Sequence, residues 1–190
     1  MKLIVTVDTE EDTWGNVRAP RYGVENIGAL PALQKLCDTL GAKPTYLVTY
    51  PVATNEIAAA ILRSLVEAGN CEIGAQCHPW NTPPFEEPES KWNTMLCNLP
   101  DELQHKKMAT LHEAIERHLK VVAVSFRSGR WGYSESVARS LAKLGYKVDT
   151  SITPFTDWRS VGGPDFSAVT PRSFRFSADD ILQESTDGPL

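Results

Sequence analysis

Short apolar runs alternate along this chain with longer stretches in which apolar residues recur every three or four positions. The runs that predict strands lie at 3–7, 45–49, 71–78, 121–126 and 146–152. Helical spacing follows each of the first four runs, at 25–40, 54–69, 101–119 and 134–145. Because strands and helices alternate, the pattern predicts an α/β fold with a parallel sheet, either a barrel or an open doubly wound sheet.

Two further segments add to this pattern. The long Pro-rich stretch from Pro79 to about Pro100 is predicted to be a functional loop, since unstructured connections of that length are uncommon in compact domains. A weaker sixth strand is expected at 174–176, and the acidic residues after Ala178 predict the start of another helix.

Composition narrows the class of protein. The chain has 190 residues, of which 42% are hydrophobic and 23% charged, as in an ordinary globular protein, and we expect one domain over 1–190. A net charge of −5 with scattered basic residues argues against nucleic acid as a partner. No apolar run has the length of a membrane span, and the first one is too short for a signal peptide, so a cytoplasmic location is expected. The four cysteines lack the paired spacing of a zinc site and are expected to be free, mostly buried thiols.

The first predicted strand ends in a cluster of carboxylates. Asp8, Glu10, Glu11 and Asp12 follow an apolar run within five positions. Side chains alternate along a strand, so Asp8 and Glu10 are expected to point the same way and to converge on one metal ion or one substrate atom. The alternative is a solvated acidic loop.

The third predicted strand supplies an amide and an imidazole. Gln76 and His78 are two positions apart and therefore share a face, while Cys77 turns into the packing behind them. His78 is either a ligand or a structural hydrogen-bond partner. The three remaining histidines lie on a helix that is predicted to face solvent, among charged residues such as Lys106 and Lys107, and are not expected to be ligands.

Arginine and tryptophan residues follow the later strands. Arg127 emerges from a buried strand, where a carboxylate such as Asp8 is its natural partner; the pair would either orient a catalytic base or simply brace the fold. Large aromatic rings beside strand ends suit stacking against the apolar faces of sugars. All five tryptophans lie just past predicted strands: Trp14, Trp80, Trp92, Trp131 and Trp158.

Four regions of the chain resemble the polysaccharide deacetylase family, also called the NodB-homology group or carbohydrate esterase family 4, and in particular its surface-polysaccharide-associated branch. The resemblance rests on residues 6–14, 71–84, 126–133, and 148–151 with 157–158. It implies a distorted seven-stranded (β/α) barrel that binds one divalent metal ion, usually zinc, and removes acetyl groups from N-acetylated sugars.

The same resemblance implies roles for individual residues. Asp8 matches the catalytic base, Arg127 the arginine that orients it, and Glu10 and His78 the metal ligands. Asp157 and Trp158 match the family's groove-lining pair. Trp80, Arg130 and Trp131, which follow strand ends, are also expected to contact the substrate.

The chain departs from the family in three ways. Gln76 stands where the family has a first histidine, and an amide oxygen binds zinc poorly, so the metal site would be weakened, rebuilt with support from Gln76 or Asp12, or absent. No histidine follows His118, although the family's general acid is a late histidine. Barrels of this kind typically need about 250 residues, so we expect an incomplete barrel that lacks the C-terminal strands. Its open edge would invite pairing with a second copy as a homodimer.

These observations leave three functions to compare. The first is a metal-dependent hydrolase that removes N-acetyl groups from a saccharide, with Asp8 as the base. The second is a catalytically silent domain that binds saccharide or serves in assembly. The third is a hydrolase of a non-sugar C–N amide bond.

Overall fold

A computed structural model of the chain describes residues 3–13, 18–19 and 21–190. The strands are β1 (Thr6–Thr9), β2 (Thr45–Val48), β3 (Glu72–Cys77), β4 (Ser125–Ser128), β5 (Val148–Asp149), β6 (Phe176–Ser177) and β7 (Asp180–Glu184). The α-helices are α1 (Leu30–Thr39), α2 (Tyr50–Thr54), α3 (Glu56–Glu67), α4 (Asp101–Leu119) and α5 (Glu135–Leu144). Short 3-10 helices lie at Glu25–Ala29, Trp92–Thr94, Leu96–Asn98, Gly129–Trp131 and Arg159–Val161.

The first five strands form one parallel sheet in the order β1-β2-β3-β4-β5, and the predicted α/β class is confirmed. The register aligns Gln76 of β3 with Arg127 of β4. Strands 4 and 5 are shorter than predicted, and β4 begins at Ser125 rather than at 121. The apolar residues before it lie outside the strand, although the Val124 carbonyl accepts a hydrogen bond from the backbone N–H of Val148 at 3.1 Å, and Val122 is 61% exposed.

The sheet is strongly curved, and the side chains of Asp8 and Arg127 lie on its concave face. In a flat sheet, β1 and β4 would lie about 14 Å apart, three strand spacings away from each other. Arg127 of β4 nevertheless donates hydrogen bonds to Asp8 and Thr6 of β1. Among the described residues β1 and β5 do not pair with each other, so the barrel stays open, as predicted.

Local sequence signals explain where the helices begin and end. The Asn55 side chain accepts hydrogen bonds from the backbone N–H groups of Ile57 and Ala58 and fixes the start of α3. Ser134 does the same for α5, which ends at Gly145 in the left-handed region, at φ 86°. Within the described ranges, no helix combines the length and the apolar content needed to cross a bilayer.

Two expectations away from the sheet had different outcomes. All four cysteines are free thiols, as predicted, and Cys37 and Cys77 are buried. The helix predicted after Ala178 is wrong, because β6 and β7 form an antiparallel hairpin there, in which Ser177 pairs with Asp180. The Asp180 carboxylate accepts hydrogen bonds from the backbone N–H groups of Leu182 and Gln183, as a helix-capping residue would, but the chain continues as a strand.

Candidate functional site

Asp8 and Arg127 form an ion pair across the inner face of the sheet, which confirms the predicted pairing. Arg127 Nη1 donates to Asp8 Oδ1. The rest of the guanidinium is also used, since Nη2 donates to Thr6 Oγ1 at 2.9 Å and Nε donates to Thr150 Oγ1 at 3.2 Å. The Asp8 side chain keeps 40% of its surface exposed. The arginine therefore fixes a carboxylate that solvent can still reach.

Glu10 meets the two polar side chains from β3. Gln76 Nε2 donates to Glu10 Oε1 at 2.8 Å, and His78 Nε2 lies 3.4 Å from Glu10 Oε2. Gln76 and His78 share a face of the strand as predicted, and Cys77 between them is fully buried on the other side. The acid from the first strand and the imidazole from the third are thus neighbours, and Asp8 is engaged separately with Arg127.

The oxygen and nitrogen atoms around Glu10 are suitable ligands for a cation. Glu10 Oε2 and Gln76 Oε1 are buried and accept no hydrogen bond from the described residues. Buried oxygens without a donor are costly, and a bound cation would satisfy them. The described residues contain no group of three or more His, Cys, Asp or Glu side chains placed to hold a metal ion. The set that fits a divalent cation is therefore Glu10, His78 and the amide oxygen of Gln76, which is a poorer ligand than a second imidazole.

Asp12 lies elsewhere. Its two carboxylate oxygens accept hydrogen bonds of 2.9 Å from the backbone N–H groups of Glu25 and Asn26, at the start of the first 3-10 helix. A hydrogen bond with the Glu25 side chain, and then the one from Asn26, lower the pKa of Asp12. Asp12 caps this helix, and no contact joins it to Glu10 or His78 within the described part of the chain.

The His78 ring is held by two neighbours that sequence reasoning did not assign to that task. Gly129 packs so closely that a Cβ atom there would lie 2.1 Å from His78 Nδ1. The Trp80 ring lies against the imidazole, with 4.1 Å between ring centroids. Trp80 is only 3% exposed, so in this structure it supports His78, and its predicted contact with substrate stays a prediction.

Glu11 belongs to the acidic cluster of the sequence, which gave it no task of its own. Its carboxylate is buried and accepts hydrogen bonds from Asn81 Nδ2 at 3.0 Å and from Thr49 Oγ1 at 3.2 Å. These contacts join the segments that follow β1, β2 and β3. The available signal was the unusual density of carboxylates at 8–12.

Lys107 corrects the prediction of a solvated helix face. It lies on α4 and is completely buried against the loop that follows His78, where its ammonium contacts Glu87 at 3.1 Å. Lys106 beside it is exposed as expected.

A half-buried aromatic pair lies at the rim formed by the loops after β4 and β5. The rings of Trp131 and Trp158 stack at 4.5 Å with 8° between their planes. Arg130 and Trp131 both adopt left-handed backbone angles, with φ of 53° and 57°, which is uncommon for residues other than glycine and often found at functional sites. Arg130 donates to Thr94, while Asp157 is exposed and pairs with Arg159 at 2.7 Å. Trp14 lies outside the described residues.

Comparison with known proteins identifies the fold. No family profile and no curated protein sequence matches this chain. A polysaccharide deacetylase-like protein from Mycobacterium smegmatis superposes with a TM-score of 0.59 at 20% identity, over 79% of this chain and 50% of the other. The chain has the fold of the polysaccharide deacetylases.

Two further structures with the deacetylase fold are similar to this chain. A family 4 acetyl xylan esterase from Clostridium thermocellum, in complex with a cobalt ion, gives a TM-score of 0.52 at 19% identity, over 82% of this chain and 60% of the other. A mutant of a carbohydrate esterase family 4 pseudoenzyme from Bacillus anthracis, described as having restored enzymatic activity, gives 0.53 at 14% identity, over 83% of this chain and 47% of the other. The chain thus spans between 47% and 60% of the length of these three proteins.

Proposed function

We propose that this protein belongs to the polysaccharide deacetylases and is a metal-dependent hydrolase that removes N-acetyl groups from a saccharide. The observation that carries the proposal is the placement of two pairs, Asp8 with Arg127 and Glu10 with His78, at the carboxyl ends of strands in a deacetylase fold. In parallel α/β folds this end of the sheet is where active sites lie.

Each side chain has a distinct task in this proposal. Asp8 takes the proton from the attacking water, and Arg127 orients the carboxylate for this step. Glu10, His78 and Gln76 would hold a divalent cation, which when bound supplies Lewis-acid polarisation of the amide carbonyl and lowers the pKa of water. The stacked rings of Trp131 and Trp158 offer an apolar surface beside polar groups, and this supports a sugar as the substrate.

Several finer points stay predictions. We propose zinc as the cation, a cytoplasmic location, and one domain over 1–190. We also propose a homodimer formed along the open edge of the sheet, where Leu3, Ile4 and Val148 are exposed apolar residues.

The second candidate is a silent domain that binds saccharide without turnover. Gln76 favours it, because its amide donates to Glu10 and thereby occupies a carboxylate oxygen that a metal ion would otherwise use. The similarity to a pseudoenzyme from Bacillus anthracis shows that this fold includes inactive members. Nothing in the described geometry favours the third candidate, a hydrolase of non-sugar amides.

One experiment separates these functions. The purified protein is analysed for bound metal and then assayed for acetate release from N-acetylated chito-oligosaccharides, with Asp8→Asn as the inactive control. Stoichiometric metal with acetate release that Asp8→Asn abolishes supports the deacetylase. Saccharide binding without metal or turnover supports the silent domain, and turnover of cyclic amides alone would support the third candidate.

A further inference from the structure

Lys107 lies in the middle of α4, and its buried ammonium group is surrounded by backbone oxygen atoms. Nζ donates to the carbonyl oxygens of Pro79 at 2.9 Å, Thr82 at 2.8 Å and Pro84 at 2.7 Å. None of the lysine surface is exposed, and the Glu87 carboxylate lies 3.1 Å away. An ammonium group has three N–H donors, and here each has one carbonyl acceptor.

The loop that Lys107 contacts has few hydrogen-bond donors of its own. Residues 79–88 include four prolines, Pro79, Pro83, Pro84 and Pro88, and proline has no backbone N–H. The loop therefore forms few backbone hydrogen bonds of its own, and carbonyls that turn inward require donors from outside it. The lysine provides these donors at one point. The Glu87 carboxylate pairs with the lysine and also with Arg18, at 3.3 Å.

This loop is continuous with the candidate site. It begins directly after His78, whose carbonyl accepts the backbone N–H groups of Asn81 at 3.4 Å and Thr82 at 3.2 Å. Trp80 packs on the imidazole, and Asn81 donates to Glu11. The carbonyls of Pro79 and Thr82, which Lys107 binds, stand on either side of these residues.

We propose that Lys107 is a positioning residue, whose buried ammonium shapes the 79–87 loop so that His78 and Trp80 take up the geometry of the site. The part of this inference that concerns metal binding rests on the proposed function, whereas the part that concerns loop geometry does not. Lys107 acts through the loop, and no reacting atom touches it.

The chain offers a matched control at the adjacent position. Lys106 also pairs with a glutamate of the same loop, Glu86 at 3.5 Å, and with Glu102 at 3.1 Å, but it is exposed. Lys107→Met keeps most of the length and the apolar character of the side-chain stem and removes all three donors. Lys106→Met makes the same change of residue type without touching a loop carbonyl.

The test compares these variants by NMR and hydrogen exchange in the folded protein. The Cε1–H signal of His78 is assigned with His78→Gln, and His112 and His118 serve as internal references. In Lys107→Met we expect the His78 signal to shift and the amide exchange of Asn81 and Thr82 to accelerate at least about tenfold, because the loop then opens locally more often. In Lys106→Met we expect neither change. A folded Lys107→Met protein with an unchanged His78 signal and unchanged exchange would overturn the proposal.

A second variant keeps the proposal testable if Lys107→Met does not fold. Glu87→Gln leaves the three carbonyl contacts in place and removes the counter-charge. We expect Asn81 and Thr82 to keep their exchange protection to within about threefold. Acceleration of tenfold or more would mean that the ion pairs of Glu87 with Lys107 and Arg18, and not the ammonium–carbonyl contacts, hold the loop.

A third measurement connects the loop to metal binding. Titration with zinc or cobalt is expected to give weaker binding in Lys107→Met than in Lys106→Met, by about the 10- to 100-fold that loss of a supporting contact to a ligand produces. Absence of acetate release in the unmodified protein would rule out the deacetylase proposal but not the role of Lys107, because the NMR and exchange results do not depend on turnover. Equal metal affinity in the two variants would overturn the metal-binding part of the inference.

Discussion

Gly129→Ala is the sharpest perturbation that the site offers. A methyl group at this position would lie 2.1 Å from His78 Nδ1, 2.6 Å from His78 Cε1 and 2.7 Å from the carbonyl oxygen of Cys77. Favourable contacts between heavy atoms begin near about 3.5 Å. The imidazole, or the backbone on either side of it, must therefore move by more than about 1 Å to admit the methyl group.

That movement has very different consequences for stability and for ligand binding. Overpacking of a tightly packed interior typically costs about 1–3 kcal/mol, which is a part of the roughly 5–15 kcal/mol by which domains are stable, so the variant should remain folded. Metal–ligand distances, in contrast, must hold to within about 0.2 Å. We therefore expect Gly129→Ala to lower metal affinity by tenfold or more, while the free energy of unfolding falls by about 1–3 kcal/mol.

Gly28→Ala is the matched control, because a Cβ atom at Gly28 would have no heavy atom within 4 Å. Urea unfolding measures the stability of both variants, and competition with a chromophoric chelator measures their metal affinity. Gly129→Ala protein that binds metal as tightly as Gly28→Ala protein, with an unshifted His78 ring signal, would refute the role given to this glycine.

Three further predictions follow from the structure. Gln76→His adds an imidazole beside Glu10, and we expect metal affinity to rise by at least about tenfold, or about 1.4 kcal/mol, relative to Gln76→Leu in the same competition assay; equal affinities would contradict the ligand set. Burial raises the pKa of Asp149 to about 7 against the hydrogen bonds from Ser151, so ionisation opposes folding and stability should fall as pH rises from about 4 to about 7. Urea unfolding of Asp149→Asn should show a flatter pH dependence over that range, and an unchanged slope would count against the shift. Trp131→Ala, which removes one ring of the stacked pair, should raise KM for chito-oligosaccharides with little change in kcat, and a lower kcat at unchanged KM would argue that the pair does not bind the sugar.

The pairing of site residues was predictable because the ends of parallel strands converge. Asp8, Glu10, His78 and Arg127 each follow or end a strand that the sequence identifies, and the contacts among them need only the parallel order. Strand boundaries were less predictable, since the apolar residues before Ser125 look like a strand but remain partly exposed.

The residues that sequence reasoning missed share a physical reason. The role of Gly129 depends on how closely a loop after β4 approaches His78, and a glycine has no side chain to signal that contact. Lys107 was recognisable in principle, because Leu103 and Leu111 stand one turn before and one turn after it on the buried face of α4. Its charge suggested a position exposed to solvent, although the carbonyls of the Pro-rich loop can replace water around an ammonium group.

Arg127 has a consequence for how the whole protein tolerates change. Its guanidinium donates hydrogen bonds from β4 to Thr6 and Asp8 of β1. In the described part of the chain β1 and β5 do not pair, so the same side chain stabilises the curvature of the sheet and fixes the Asp8 carboxylate. Substitution at this position would loosen the curvature and the carboxylate together. The position of the Asp8 carboxylate and the curvature of the sheet therefore depend on the same side chain, and a change in one would disturb the other.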